Sequence, residues 1–359
     1  YDVKLKKARL KILKKYKKFF FTKNKLENKK ILSQSILKFK PTAIIHLAAQ
    51  AGVRYSIENP NTYMDSNIIG TYNVIELAKK INIKHLLISS SSSVYGANKK
   101  LPFSENDKTE TQLSIYAATK KSTESIAHAY SNVWKLPITI LRFFTVYGPW
   151  GRPDMALFKF TKGIINEKKI DIYNNGKMYR DFTYIDDIVG GVIRVLDKPA
   201  TPNPSWSGNS PDPGTSQSPW RVYNIGNNSP VELMDYISAI EDALNIKAKI
   251  ELLPLQPGDV PDTYADVDAL AEDMEYRPST NIKQGIEKFV NLDTNKVWFS
   301  CLVLMFQKEV ADRIIAQSNT SAYGRLSILA NWRLKINKIC DISPESFSPK
   351  PKIQSSLIH

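Results

Sequence analysis

Three consecutive segments decide the fold: HLLISSSSSVYG (residues 85–96), a helical pattern around Tyr116–Tyr130, and ITILRFF (residues 138–144). Both quoted segments begin with a continuous apolar run, which is typical of strands that are buried on both faces of a sheet. Earlier in the chain, an apolar run at 43–47 and a helical pattern at about 63–80 show the same order of a strand followed by a helix. Strands separated by helices predict an α/β fold with a doubly wound parallel sheet.

The composition is that of a globular protein with two or three domains. The chain has 359 residues, and hydrophobic residues at 42% with charged residues at 24% exclude a disordered or fibrous protein. The longest apolar run, Val297–Phe306, is half of the ~20 residues that a membrane span needs, so no membrane segment is expected. Cys301 and Cys340 are too few for a disulfide framework, and no export signal opens the chain. We therefore expect a cytoplasmic protein, and we predict no metal site.

The positive charge is concentrated at the start of the chain. Residues 1–40 carry +13 of the net +15, and residues 4–20 within them predict a lysine-rich helix. Such a helix could bind nucleic acid. A solvated helix face explains the same pattern, and no aromatic or glycine-rich RNA motif accompanies the lysines. We favour the solvated face and keep nucleic-acid binding as an alternative.

Three side chains form a candidate catalytic group. Tyr116 and Lys120 are four residues apart on the predicted helix, so they share one face. A phenol ionises near pH 10, but a nearby ammonium group and a cationic nicotinamide ring would lower its pKa. Ser91 follows a buried strand, at the edge of the sheet where open α/β folds bind ligands. Taken alone, the Tyr-x-x-x-Lys spacing is usually only part of a helix surface.

Several motifs in order resemble the extended short-chain dehydrogenase/reductases, a Rossmann-like family. The likeness spans residues 1–291 and is strongest to the nucleotide-sugar epimerases that act on UDP-glucuronate. The motifs are His46–Ser56, Asn67–Glu76, the serine run, Tyr116-x-x-x-Lys120, Arg142–Ala156 and Arg180–Asp187.

The resemblance implies NAD as cofactor, a UDP-sugar as substrate, and epimerisation at C4 through a 4-keto intermediate. Tyr116 would then be the acid/base at the sugar O4, and Ser91 would share the hydrogen bond to that oxygen. Lys120 would hold the ribose of the cofactor. Leu47, Ala48, Ala49, Ala51, Asn67 and Phe144 match positions that contact NAD, together with Tyr116 and Lys120. A homodimer is a further expectation from the family.

The same resemblance implies a set of substrate-binding residues: Arg54, Ser92, Thr145, Arg152 and Arg180. Arg152 would grip the glucuronate carboxylate in a bidentate pair, and Arg180 would hold the diphosphate. A surface salt bridge is the plainer explanation for either arginine. Relatives that eliminate water carry an Asp-Glu pair after the catalytic hydroxyl, whereas this chain has Ser92 and Ser93. Without a second carboxylate, epimerisation is favoured over elimination or decarboxylation.

The chain departs from the family at its start. The family opens with a glycine-rich turn whose backbone N–H groups hold the cofactor pyrophosphate. No glycine precedes Gly52, and Lys25 stands where an adenine-side Asp is expected. We therefore expect a sheet that is incomplete at its N-terminus, and poor NAD binding by the chain as given.

The chain also departs from the family at its end. Residues 302–358 resemble the C-terminal part of the ribosomal RNA adenine dimethyltransferases, through motifs at 304–311, 323–327 and 347–353. The S-adenosylmethionine loop and the base-methylation motif of that family are absent, so we expect no methylation and no RNA contact through this short, mostly helical tail. An rRNA-binding protein and an inactive fusion fragment remain the alternative functions.

These observations predict a division into four segments. Residues 1–150 would form an incomplete NAD-binding Rossmann domain, and 151–291 a smaller α+β region that binds the nucleotide sugar. Residues 292–301 would be a junction, and 302–359 the dimethyltransferase-like tail.

Overall fold

In the computed structural model, the described residues are 1–256, 260–295 and, toward the C-terminus, 304–318, 320–324, 327, 336–349, 351 and 353–358. They belong to two compact units, Tyr1–Asn291 and Leu292–His359. Part of the predicted junction (296–301, with Cys301) lies outside the described residues, and so do Arg325, Leu326, Lys350 and Lys352 of the predicted tail motifs.

The helix predicted around Tyr116–Tyr130 is confirmed, whereas the helix predicted at 4–20 ends at Leu13, and a π-helical segment interrupts the helix predicted at about 63–80. The helices of the first unit are α1 (Val3–Leu13), α2 (Lys29–Phe39), α3 (Val53–Glu58), α4 (Pro60–Tyr63), α5 (Gly70–Lys80), α6 (Ile115–Trp134), α7 (Ala156–Ile165), α8 (Ile185–Asp197), α9 (Leu233–Leu244), α10 (Asp268–Met274) and α11 (Ile282–Asn295), which runs past the unit boundary. A π-helical segment, Met64–Ile69, joins α4 to α5, and 3₁₀ turns occur at Ser92–Tyr95 and Tyr173–Gly176.

The strands of the first unit form three sheets. They are β1 (Ala43–His46), β2 (His85–Ser91), β3 (Ile138–Phe143), β4 (Thr145–Tyr147), β5 (Lys169–Ile172), β6 (Tyr179–Tyr184), β7 (Trp220–Ile225), β8 (Pro230–Glu232), β9 (Lys249–Leu252) and β10 (Asp262–Thr263). The main sheet has the order β1-β2-β3-β7 and is parallel throughout, which confirms the predicted parallel α/β sheet. Its last strand comes from beyond residue 150. A second sheet, β10-β6-β4, carries β8 on β6, and β5 pairs with β9.

Apolar clusters cover both faces of the main sheet. On one face, Ile75 of α5 and Ala127 of α6 pack against Ile88 and Ile140. On the other face, α8 and α10 pack against Leu87 and Leu141, with Val195 and Leu270 fully buried. Because successive strand residues point to opposite faces, a strand covered on both faces has apolar residues on each side, as β2 does at 86–88 and β3 at 140–141. The doubly wound arrangement is confirmed.

The main sheet has an open edge at β1. Among the described residues β1 pairs with β2 alone, and Ile45 and Leu47 are 39% and 57% exposed. This is the end of the sheet at which the sequence predicts an incomplete fold.

The second unit is small. Its described residues form α12 (Lys308–Ile315) and an antiparallel sheet of β11 (Leu304–Gln307), β13 (Ser355–Ile358) and β12 (Lys338–Ile342), with β13 in the middle. Among its described residues, Ala311, Ile314 and Ile358 form a buried apolar cluster. In neither unit does the described part contain a helix that is long and apolar enough to cross a membrane.

Candidate active site

The three predicted catalytic residues meet where β2 ends and α6 begins. Ser91 is the last residue of β2, and its Oγ accepts a hydrogen bond from the Ser93 N–H at 3.2 Å. The Ser114 side chain caps α6 by accepting from the Ala117 N–H at 3.1 Å, which fixes the first helical turn and Tyr116 with it. Burial raises the pKa of Tyr116, while a hydrogen bond with Ser91 and the charge of Arg152 act in the opposite direction.

Lys120 lies one turn further along α6 and is buried against β2. Its Nζ donates to the Ser89 carbonyl oxygen at 2.7 Å and approaches the Ser89 Oγ at 3.3 Å. Burial lowers the pKa of Lys120 to about 8, and the nearby charge of Glu124 limits the shift. The spacing of Tyr116 and Lys120 therefore places both groups at the same end of β2, as predicted.

A buried ion pair that the sequence analysis did not identify supports this helix. Glu124 accepts from Arg142 Nε at 3.0 Å and from Arg142 Nη2 at 2.9 Å, and both side chains are at most 2% exposed. Ser90 Oγ donates to the same carboxylate at 2.6 Å, and Arg142 Nη1 donates to the Tyr95 hydroxyl at 3.1 Å. The pair thus ties α6, β2 and β3 together directly behind Ser91. Arg142 opens one of the quoted motifs, but nothing in the pattern reveals its partner.

Asn67 organises the loop that follows β1. It lies in the π-helical segment, a feature that often marks functional sites, and is 1% exposed. Its side chain accepts from the Gln50 N–H at 2.8 Å and donates to the Gln50 carbonyl and to Thr119 Oγ1, both at 3.0 Å. This links the loop at 47–52, with the predicted cofactor residues Leu47, Ala48, Ala49 and Ala51, to α6.

Tyr63 is a second residue that the sequence analysis missed. It is fully buried, and its hydroxyl donates to the Gly52 carbonyl at 2.6 Å. Its ring centroid lies 6.1 Å from that of Tyr116. Tyr63 therefore joins the loop at 47–52 to Tyr116, the predicted catalytic tyrosine. The sequence offers no signal for it beyond its place four residues before Asn67.

Phe144, a predicted NAD contact, and Ser92, a predicted substrate contact, differ in how exposed their side chains are. The Phe144 side chain is 6% exposed and packs in an apolar cluster with Tyr95, Phe103 and Ala265, so its ring belongs to the core. Ser92 is half-buried in the 3₁₀ turn that directly follows Ser91.

Arg152 and Thr145 line a cavity of about 120 Å³ beside the loop at 148–152. Arg152 forms a bidentate ion pair with Asp154, with Nε donating to Oδ1 at 3.1 Å and Nη2 donating to Oδ2. The Arg152 Nη2 also lies 3.9 Å from the point where a Cβ on Gly52 would stand. Arg152 is thus close to the loop at 47–52, and its charge acts on Tyr116, the predicted catalytic tyrosine.

The other two predicted arginines, Arg54 on α3 and Arg180 on β6, have partners of their own. The Arg54 guanidinium stacks over the Tyr173 ring at 4.7 Å. Arg180, on β6, donates to the carbonyl oxygens of Tyr179 at 3.1 Å, Val260 at 2.7 Å and Pro261. The described residues contain no cluster of three His, Cys, Asp or Glu side chains that could hold a metal ion.

Comparisons with known proteins agree with this geometry. The sequence model of the NAD dependent epimerase/dehydratase family matches residues 3–226, and that of ribosomal RNA adenine dimethylase matches residues 281–359. Protein CapI of Staphylococcus aureus is 57% identical over 291 residues, which are 81% of this chain and 87% of that protein. A probable UDP-glucuronate 4-epimerase of Rhizobium meliloti is 47% identical over 291 residues, with coverages of 81% and 85%.

A solved structure is also similar. It is UDP-glucuronic acid 4-epimerase from Bacillus cereus in complex with UDP-glucuronic acid and NAD, which matches with a TM-score of 0.71 and 31% identity over 80% of this chain and 86% of that one. The family model covers more than half of the chain, and both relatives match over 291 residues of it. The chain therefore belongs to the NAD dependent epimerase/dehydratase family.

Proposed function

We propose that this protein interconverts UDP-glucuronate and UDP-galacturonate by NAD-dependent epimerisation at C4. The observation that carries the proposal is the convergence of Ser91, Tyr116 and Lys120 at the end of β2, with the charge of Arg152 acting on the Tyr116 phenol. A proton-transfer group thus lies beside a guanidinium that suits a sugar carboxylate. The relatives named for this reaction support the same assignment.

The chemistry that NAD supplies when bound is reversible hydride transfer at the sugar C4. Tyr116 accepts the proton of the O4 hydroxyl as that carbon is oxidised, and returns it to the oxygen after the sugar has turned over. Ser91 donates a hydrogen bond that steadies the phenol oxygen. Lys120 contributes a positive charge close to the same end of β2, which favours the phenolate.

The residues present fit the nicotinamide–ribose half of NAD, the cofactor of this family. Described residues give the buried Lys120 ammonium two acceptors, both on Ser89. Because an ammonium group has three protons, one can hold a ribose hydroxyl. Asn67 fixes the loop at 47–52 with two hydrogen bonds to Gln50, and a third bond to Thr119 ties it to α6 beside Lys120. No glycine precedes Gly52 in the sequence, so we assign no residue of this chain to the pyrophosphate.

Two serines support epimerisation over elimination. Ser92 and Ser93 form the turn that follows Ser91, at positions where elimination or decarboxylation would use a carboxylate. For the substrate, we propose that Arg152 holds the sugar carboxylate, with Thr145 and Ser92 as hydroxyl partners. Arg180 would contact the diphosphate, and Arg54 would contribute a second positive charge.

The decisive experiment compares Tyr116→Phe with Tyr130→Phe, a matched control on the same helix whose hydroxyl bonds Glu76 instead. Conversion of UDP-glucuronate with saturating NAD is followed by NMR of the sugar anomeric protons. Tyr116→Phe should lower turnover by at least the ~10²–10⁴-fold typical of general acid–base catalysis. Tyr130→Phe should keep turnover within about twofold of the wild type, since that position is remote from the proton transfer. Retained activity in Tyr116→Phe would refute the proposal.

We also propose a homodimer in the cytoplasm. Tyr72 of α5 and Val133 and Trp134 of α6 form an apolar surface and are 39%, 61% and 50% exposed. A second copy of the chain would cover this surface on both helices. Trp134→Glu should shift the mass measured by light scattering from dimer to monomer, and an unchanged mass would contradict the proposal. The proposed cytoplasmic location rests on the two cysteines, which are too few for a disulfide framework.

A further inference from the structure

The loop that carries Arg152 has an unusual backbone. Trp150, two residues before Arg152, has φ of 60°, a left-handed conformation that a bulky aromatic residue rarely adopts. Gly148 also has a positive φ, of 142°. Such a conformation persists only when surrounding contacts hold it in place.

Arg9 provides those contacts from the far end of the sequence. Its Nη2 donates to the carbonyl oxygens of Trp150 and of Gly151, the latter at 2.8 Å. These are the two carbonyl groups that directly precede Arg152. On its other side, Arg9 Nη1 donates to the Tyr1 hydroxyl at 2.8 Å, which orients the guanidinium on α1.

We infer that Arg9 is a positioning residue that fixes the loop at 148–152 and thereby sets the preference of the site for an acidic sugar. The inference rests on the proposed role of Arg152. Arg9 itself does not touch the substrate carboxylate in this assignment. Arg9 holds the two peptide groups that directly precede Arg152 and therefore fix the position of its Cα. A bidentate pair between Arg152 and the sugar carboxylate tolerates little displacement of that position.

The physical reason is the planar fork of arginine. One guanidinium nitrogen can serve two adjacent carbonyl groups while another bonds elsewhere, whereas a lysine offers a single point charge. Arg9→Lys should therefore keep the charge and the fold but only part of the positioning. Arg9→Met keeps the aliphatic stem and removes every donor.

The test measures binding of UDP-glucuronate and of UDP-glucose, which lacks the carboxylate, by isothermal titration calorimetry. Arg9→Met should weaken the binding of UDP-glucuronate about tenfold and change the affinity for UDP-glucose by less than about twofold, and Arg9→Lys should have an intermediate effect. Lys11→Met is the matched control, since it removes one positive charge from an exposed position of the same helix. It should leave both affinities unchanged.

A double-mutant cycle separates positioning from a merely structural role. In an Arg152→Met background, Arg9→Met should add less than about twofold, because the group that it positions is already absent. Equal weakening of both sugars by Arg9→Met, or full additivity with Arg152→Met, would overturn the inference while leaving the proposed function intact. If Arg152→Met alone failed to weaken UDP-glucuronate selectively, the carboxylate assignment in the proposed function would fall first, and the inference with it. Thermal unfolding of each variant checks that the fold is retained.

Discussion

The buried pair between Glu124 and Arg142 gives a sharp prediction about stability. Glu124→Gln keeps the shape of the side chain but removes its charge, which leaves the Arg142 guanidinium buried without a counter-ion. Both side chains are at most 2% exposed, and the carboxylate accepts three hydrogen bonds, two from Arg142 and one from Ser90. Breaking a buried pair by removing one partner costs about 3–5 kcal/mol. We expect a loss of this size in the free energy of unfolding.

The assay is urea unfolding followed by tryptophan fluorescence at pH 7. Asp268→Asn is the matched control, because Asp268 and Arg277 form an ion pair that is 60% and 57% exposed. An exposed pair contributes about 0–1 kcal/mol, so this variant should unfold almost like the wild type. If Glu124→Gln lost no more stability than Asp268→Asn, the pair would not support α6 as described.

The pH dependence of the same pair has a definite sign. Burial acts to raise the pKa of Glu124, but the charge and hydrogen bonds of Arg142 outweigh it, and the pKa is lowered. A carboxyl group with a lowered folded-state pKa stabilises the protein above the unfolded value of about 4.3. That stabilisation is lost as the pH falls through the folded value. The wild type should therefore lose its advantage over Glu124→Gln in acid, and a constant difference down to pH 3 would contradict this.

Three further predictions concern single side chains. Gly96→Ala should lower the free energy of unfolding, measured in urea, by about 2 kcal/mol or more, because φ at Gly96 is +57° and an added Cβ would lie 1.9 Å from the Thr111 carbonyl oxygen. In the control Gly208→Ala the added Cβ would lie 3.9 Å from its nearest neighbour, so the loss should be under about 1 kcal/mol. Asp154→Asn should strengthen the binding of UDP-glucuronate up to about fivefold and leave the binding of UDP-glucose unchanged, because Asp154 competes with the sugar carboxylate for Arg152. Calorimetry measures both affinities, and an equal change in the two would refute this. Burial lowers the pKa of Lys120 to about 8, so between pH 8 and about 10.4 the free energy of unfolding of the wild type should rise relative to that of Lys120→Met. Parallel profiles of unfolding free energy against pH for the two proteins would contradict this.

The local pattern of the sequence determined the elements of the main sheet. The apolar runs that predict strands at 43–47, 85–90 and 138–144 become β1, β2 and β3 within one residue at their ends. The spacing of Tyr116 and Lys120 placed both on one face of α6, and the position of Ser91 after a buried run placed it at the end of β2. These inferences succeed because helix and strand periods depend on neighbouring residues.

Contacts between distant segments were decided only by the tertiary structure. Arg9 meets the loop at 148–152, Arg142 meets Glu124, and Tyr63 packs beside Tyr116. No spacing in the sequence encodes such a pair, because each depends on which faces the packed layers bring together. The sequence also predicted Arg152 as a grip for a carboxylate, but not that Asp154 already engages it. The residues of the proposed site were therefore suggested by the sequence through its resemblance to the family, while their partners and orientation follow from the packing of α1, α6 and the loop at 148–152 around the end of the sheet.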